Sequence, residues 1–287
     1  MESFISIENA KKHLDQQKNI VFIDCRYELG NPEKGFQDYQ KSHIEGAIFA
    51  NMDTILAGPI KEKTGRHPLP EHKIFRDYLI KHGLTNNLGI IVYDGVGGGF
   101  AARLWWMLKT MGYQDVSILE QGFAGWLTKG FPITADIPKR KPISEEFIIP
   151  DSWENGYMPI LKTEDVYKKV KEGFTGIIDS RDLERYAGKS AGPDKIAGRI
   201  PGAKNRWWKA SLNEDLTIRD KEVLKKEFKE LFGKFAIEDI IVYCGSGVTG
   251  AFNVAMITHL GFNQTANLYG GSWSEWIEHH PELIEKD

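Results

Sequence analysis

Short apolar runs alternate with amphipathic stretches along the whole chain. Ile90–Tyr93 and Ile240–Tyr243 are unbroken apolar runs of strand length. Ile74–His82 and Val223–Leu231 instead carry their apolar residues at helical spacing. Strands without a polar face fit a parallel sheet covered on both sides. Alternating strands and helices therefore predict right-handed crossovers in a layered α/β domain.

The pattern occurs twice. Ile90-Ile91-Val92-Tyr93-Asp94-Gly95 leads into a glycine-rich loop and then Ala101–Leu108. Ile240-Ile241-Val242-Tyr243-Cys244-Gly245 leads into a loop of small residues and then Ala251–Met256, so Cys244 stands 150 positions after Asp94. At nearly the same offset Val21–Arg26 answers Ile177–Arg181, His43–Ala47 answers Arg199–Ala203, and Leu119–Trp126 answers Leu268–Trp276. A repeat of that length is a duplicated domain, not a solenoid unit. We expect a first domain over 1–135, a linker over 136–159 and a second domain over 160–287. The linker carries Pro138, Pro142, Pro150 and Pro159 and is expected to wrap the surface of both domains.

Composition narrows the field. The 287 residues hold 41% hydrophobic positions, enough for two cores, and 37 Lys+Arg against 40 Asp+Glu, a net charge of −3. Without a basic excess there is nothing to neutralise phosphates, so no nucleic acid partner is expected. No apolar run approaches the ~20 residues of a spanning helix, and no membrane partner is expected. The first residues lack a basic stretch followed by an apolar one, so they do not read as a secretory signal. Two cysteines, Cys25 and Cys244, make neither a disulfide framework nor a four-cysteine zinc site, and His259, His279 and His280 lack metal-ligand spacing. A cytoplasmic protein with reduced thiols and no metal or cofactor is expected.

Candidate chemistry centres on Cys-Gly-Ser-Gly-Val-Thr-Gly, residues 244–250, between a strand and a helix. Gly245 and Gly247 permit a tight loop with φ > 0 that turns successive amides inward as an anion nest. The following helix adds its positive end. A cysteine at the mouth of such a nest is expected to have a lowered pKa and to act as a thiolate nucleophile. Ser246 and Thr249 add hydroxyl donors. Gly95-Val96-Gly97-Gly98-Gly99 lacks the ending of a nucleotide loop and reads as the relic of the same loop in the first copy. Cys25 reads as non-catalytic, and Trp105-Trp106 and Trp207-Trp208 as packing residues.

The two-copy arrangement and Cys244–Thr249 resemble the tandem-domain sulfurtransferases, the thiosulfate sulfurtransferases (rhodaneses) and 3-mercaptopyruvate sulfurtransferases. His43-Ile44-Glu45-Gly46-Ala47, Val92-Tyr93-Asp94, Trp105-Trp106 and Gly271-Ser272-Trp273-Ser274-Glu275-Trp276 extend the resemblance over nearly the whole chain. The resemblance implies an α/β fold of two duplicated rhodanese-like domains, each a mainly parallel sheet flanked by helices. It implies a silent first domain, consistent with Asp94 in place of the cysteine. The implied reaction moves sulfane sulfur from 3-mercaptopyruvate or thiosulfate through a Cys244 persulfide to cyanide, a small thiol or thioredoxin. Gly245-Ser246 stand where thiosulfate enzymes carry an Arg-Lys pair, which favours mercaptopyruvate. By resemblance, Ser246, His67 and Asp53 form a proton relay. Arg185 binds the donor's anionic group, with Gly245, Gly247, Val248 and Thr249 completing the substrate loop. Mercaptopyruvate enzymes carry a second arginine where Asp194 stands here, whereas thiosulfate enzymes can have an acid there, so residues 192–195 do not share the loop's preference for mercaptopyruvate; Lys195 or Arg199 are the candidate replacements.

Two other functions were weighed. A cysteine phosphatase of related fold needs Cys-x5-Arg, and position 250 is glycine. A non-catalytic sulfur carrier or interaction module would keep a reactive Cys244 but fail to pass sulfur on.

Overall fold

A computed structural model describes residues 1–16, 19–143 and 148–287. The chain forms two compact units. The first comprises Met1–Gly58, Pro70–Tyr157 and Glu214–Thr217; the second comprises Pro59–Leu69, Met158–Asn213 and Ile218–Asp287. The described part of the expected linker, through Tyr157, falls in the first unit: Ile143 N–H donates to Ile80 O and Trp153 Nε1 to Pro70 O. Residues 144–147 of it lie outside the described residues. The segment Pro59–Leu69, which the sequence divides off with the first domain, belongs to the second unit.

The strands of the first unit are β1 (Phe4–Ile5), β2 (Ile20–Asp24), β3 (His43–Ile44), β4 (Ile48–Phe49), β5 (Gly89–Tyr93), β6 (Val116–Leu119) and β7 (Ile133–Thr134). Five of them form a sheet of order β1-β6-β5-β2-β4, parallel throughout, and β3 pairs antiparallel with β7. Around it lie α1 (Ile7–Asp15), α2 (Lys34–Lys41), α3 (His72–Lys81), α4 (Ala101–Thr110) and α5 (Gly122–Thr128). The second unit holds β8 (Ile160–Leu161), β9 (Ile177–Asp179), β10 (Lys204–Asn205), β11 (Ile241–Tyr243) and β12 (Asn267–Tyr269). Its helices are α6 (Thr163–Lys171), α7 (Leu183–Tyr186), α8 (Lys221–Phe232), α9 (Gly250–His259) and α10 (Ser272–His279). Its parallel sheet, β8-β12-β11-β9-β10, repeats the first strand for strand.

The apolar runs occupy the sheet centres. Every residue of β5 and of β11 is buried, as a strand sandwiched between helices requires. Local signals set the helix ends: Asp220 caps α8 by accepting from Val223 N–H, and Gly233 ends it with φ 63°. The two units share the same buried polar clasp. Asp24 pairs with Arg26 and Asp179 with Arg181, both at 2.6 Å. Tyr93 and Tyr243 each accept from the matching amide, of Ile44 at 3.3 Å and Ile200 at 3.2 Å. Burial pushes both phenols well above their ordinary pKa, so both stay neutral donors or acceptors. Trp208 packs on Phe252, but Trp207 is 41% exposed, so only one of that tryptophan pair is a packing residue. No helix among the described residues is long and apolar enough to cross a membrane.

Candidate active site

The first unit displays the loop after its central strand with an anion in place. The Asp94 carboxylate, fully buried, accepts four amides: Val96 at 2.8 Å and Gly98 at 2.9 Å on Oδ1, Phe100 at 2.7 Å and Ala101 at 3.0 Å on Oδ2. The loop is therefore an amide nest at a helix start, closed by its own carboxylate.

In the second unit Cys244 directly follows β11 at the equivalent place and is 1% exposed. Its backbone is held like that of Asp94: Trp273 N–H donates to Cys244 O at 3.0 Å, as Phe123 N–H donates to Asp94 O at 2.8 Å. Ser272, in the left-handed region at φ 55°, accepts from Cys244 N–H and donates to Tyr269 O. A non-glycine residue there costs about 1 kcal/mol, and its hydroxyl uses that geometry to fix the cysteine. A thiol has no pair of carboxylate oxygens to fill the loop as Asp94 does, so the nest stays open. The amides of Gly245, Ser246, Val248 and Thr249 have no hydrogen-bond partner among the described residues. Of the two glycines, only Gly247 has the expected left-handed backbone. Gly247 has φ 75°, and a Cβ there would stand 2.0 Å from Gly270 O. Gly245 is not left-handed; it is needed for room, because its Cβ would lie 2.6 Å from Arg185 Nη2 and 2.7 Å from Arg66 Nη2.

Two guanidiniums thus converge beside the cysteine. Asp182 caps α7 by accepting from Arg185 N–H at 3.0 Å, which sets Arg185 on the last position but one of that helix. Arg185 Nε is buried with no hydrogen-bond partner among the described residues. Arg66 arrives on the Pro59–Leu69 segment, whose path is fixed on α10: Arg66 N–H donates to Ser274 Oγ at 3.0 Å and Gly65 N–H to Glu275 Oε2 at 3.4 Å. Asp194 bridges the pair, accepting from Arg66 Nε at 2.9 Å and from Arg185 Nη2 at 2.6 Å. A cavity of about 410 Å³ opens beside this bridge, lined also by Ile60, Pro193, Lys195 and Ile277. Arg181, by contrast, is spent on Asp179 and on Gly198 O and lies over the Trp273 ring.

His67 follows Arg66 on the same segment. Its Nδ1 is 2.8 Å from Ser246 Oγ, and both side chains are buried. A hydroxyl hydrogen-bonded to an imidazole can hand a proton to or from a bound molecule. The structure thus brings Cys244, Gly245, Ser246, Gly247, Val248, Thr249, Arg185 and His67 together in one unit. Asp53 belongs to the first unit, on the helical turn Met52–Leu56, where Tyr27 Oη donates to its Oδ1 at 3.3 Å. Burial holds its carboxyl above the usual range, against the pull of that hydrogen bond. The expected stand-ins for a second arginine are engaged elsewhere: Lys195 with Glu278 at 2.5 Å, Arg199 with Glu285 and Asp287. The second guanidinium beside Gly245 comes from Arg66. No local pattern marks it, because its partner Asp194 lies 128 positions away.

Two copies of one parallel α/β domain, one with an aspartate in its amide nest and one with a cysteine, define a duplicated anion-loop protein with a single thiol site. The Rhodanese-like domain matches residues 6–129 and again residues 162–279. A probable 3-mercaptopyruvate sulfurtransferase of Pseudomonas aeruginosa is 32% identical over 265 residues, 91% of this chain and 90% of that protein. A thiosulfate sulfurtransferase of Cricetulus griseus is 30% identical over 267 residues, 90% of this chain and 85% of that one. Among solved structures, 3-mercaptopyruvate sulfurtransferase from Leishmania major superposes with a TM-score of 0.86 at 27% identity, covering 98% of this chain and 76% of that one. The chain belongs to the rhodanese family, as a two-domain sulfurtransferase.

Proposed function

We propose that the protein takes sulfur from 3-mercaptopyruvate onto Cys244 and passes it to cyanide or a small thiol, with thioredoxin as a protein acceptor. The observation that carries this reading is the convergence of Arg66 and Arg185 on Gly245, beside an open amide nest and a Ser246–His67 pair. A planar guanidinium suits a carboxylate, and Arg185 brings one to Gly245. Held there, the α-keto acid presents its thiol sulfur to Cys244.

The chemistry then follows from charge. The Cys244 thiolate forms an S–S bond to the donor sulfur while the donor C–S bond breaks. The electron pair leaves as the enolate of pyruvate, and the Ser246–His67 pair transfers the thiol proton towards it. Negative charge on the outer sulfur of the persulfide is met by the free amides of the loop and the N-terminal end of α9. The acceptor nucleophile attacks that outer sulfur, and Cys244 leaves as thiolate, giving ping-pong kinetics. Asp53 is proposed as a contributor to the proton relay, which Asp53→Asn tests by lowering kcat for mercaptopyruvate. Both cysteines are free thiols, in keeping with a cytoplasmic setting.

Intact-mass analysis after incubation with mercaptopyruvate tests the reading. We expect an adduct of about 32 Da, one sulfur atom, on Cys244. It should vanish on adding cyanide, with thiocyanate released, and should not form in Cys244→Ser. An adduct that stays on the protein would point to a sulfur carrier, and no adduct would end the proposal.

A further inference from the structure

The first turns of α5 and α10 stand at the same place in the two copies, yet their side chains differ. Gly122, Ala124 and Gly125 of α5 are matched by Ser272, Ser274 and Glu275 of α10. The backbones agree. Phe123 N–H donates to Asp94 O as Trp273 N–H does to Cys244 O, and Gly122 and Ser272 have φ 56° and 55°. On this shared frame, the hydroxyls and the carboxylate belong to the copy that carries Cys244.

Ser274 is 5% exposed and holds two stretches of chain at once. Its N–H donates to Gly245 O at 2.9 Å, on the loop that starts at Cys244. Its Oγ accepts from Arg66 N–H at 3.0 Å, on the segment that carries Arg66 and His67. That seam is closed on one side: a Cβ on Gly65 would stand 2.8 Å from both Ser274 Oγ and Gly271 O. It is open on the other, where the cavity of about 410 Å³ runs along residues 60–66. Packing keeps the segment from moving inward, so hydrogen bonds must keep it from drifting outward.

We propose that Ser274 is a positioning residue that registers the Arg66–His67 segment against the Cys244 loop. Both bonds start from one serine, so covalent geometry sets the spacing between the two stretches. Without the hydroxyl, the buried Arg66 N–H loses its acceptor, and the segment can satisfy it by shifting towards the cavity. The parts given to Arg66 and His67 rest on the sulfur-transfer reading above. Arg66 faces the donor's anionic group and His67 moves a proton through Ser246. Lost register should therefore appear in binding and in turnover together.

The test measures mercaptopyruvate kinetics in Ser274→Ala, which removes the acceptor and leaves the backbone bond to Gly245. KM should rise and kcat should fall, each by about threefold or more, so that kcat/KM drops roughly tenfold. In an Arg66→Gln, His67→Asn background the same substitution should change kcat/KM by less than about twofold, because the groups it places are gone. A full further loss in that background makes Ser274 a structural tie and ends the proposal, as does a lower melting temperature with unchanged kinetics in the single variant. Gly65→Ala pushes the same segment away with Ser274 intact, and should reproduce the joint change in KM and kcat.

A second arm needs no turnover. Alkylation of Cys244 by anionic iodoacetate is compared with alkylation by neutral iodoacetamide, with free cysteine as the reference thiol. The wild type should favour the anion relative to that reference, and Ser274→Ala should cut the preference by about threefold or more as Arg66 withdraws. No preference in the wild type, or one that Ser274→Ala leaves unchanged, overturns the proposal. Should mercaptopyruvate leave no sulfur on Cys244, the sulfur-transfer reading falls, while the alkylation ratio still decides the role of Ser274.

Discussion

Gly245→Ala is the most direct probe of the arginine pair, because the perturbation can be sized from the structure. The new methyl would stand 2.6 Å from Arg185 Nη2 and 2.7 Å from Arg66 Nη2, where ordinary contact begins at 3.4 Å. Each guanidinium must withdraw by about 0.7 to 0.8 Å. The backbone does not resist, since Gly245 does not use the left-handed region. Both arginine side chains keep some exposure, 19% and 23%, so their tips can move. Folding stability should therefore change by less than about 1 kcal/mol, the size of a glycine-to-alanine entropy gain against mild crowding. Function should respond more strongly. A shift approaching 1 Å in groups that orient a substrate can cost up to a hundredfold, so kcat/KM for mercaptopyruvate should fall roughly ten- to hundredfold, or ~1.4–2.7 kcal/mol. The loss should appear mostly in KM. Steady-state kinetics with a thermal melt on the same samples decides it. Unchanged donor efficiency in a normally folded variant would refute the placement of the donor's anionic group between these arginines.

Asp94→Asn in the first unit should cost ~3 kcal/mol in urea unfolding, because an amide –NH2 would face two of the four N–H donors that now share the carboxylate; a loss below ~1 kcal/mol would mean the nest does not hold that loop. Ser246→Ala and His67→Asn should each lower kcat for mercaptopyruvate, and the double variant should be no worse than the weaker single, since they act as one hydrogen-bonded pair. Strict additivity would separate them. Glu285 is held below its ordinary value of 4.5, first by the Gly202 amide and then by Arg199. Its stabilisation is complete above the unfolded pKa and is lost as pH falls through the folded one. Glu285→Gln should therefore flatten the acid side of the melting-temperature profile, and an unaltered acid limb would exclude it as a contributor.

Much of this architecture is legible in periodicity alone. The runs Ile90–Tyr93 and Ile240–Tyr243 are central strands because only a doubly covered sheet accepts so many apolar residues in a row, and the structure starts them at Gly89 and Ile241. The helices expected over Ile74–His82 and Val223–Leu231 run over His72–Lys81 and Lys221–Phe232, the second capped at its start by Asp220. The loop after Tyr243 is equally legible, since glycines and hydroxyls around a cysteine have few other uses. Arg66 is not. It sits in Lys61-Glu62-Lys63-Thr64-Gly65-Arg66, which looks like any solvated surface run, and its meaning arises from Ser274 and Asp194, far along the chain. For the same reason the sequence offers Lys195 and Arg199 as substitutes. Nothing local reveals that Glu278, Glu285 and Asp287 already hold them.

The membership of Pro59–Leu69 in the second unit makes the working half of this duplicated protein discontinuous in the gene. A fragment starting at Met158 would inherit the nucleophile yet be born without Arg66 or His67. An eleven-residue stretch of coding sequence that lies within the first copy supplies a cation and an imidazole to the second unit. A change in that short stretch therefore alters the surroundings of Cys244 in the other repeat, which ties the sequences of the two copies together.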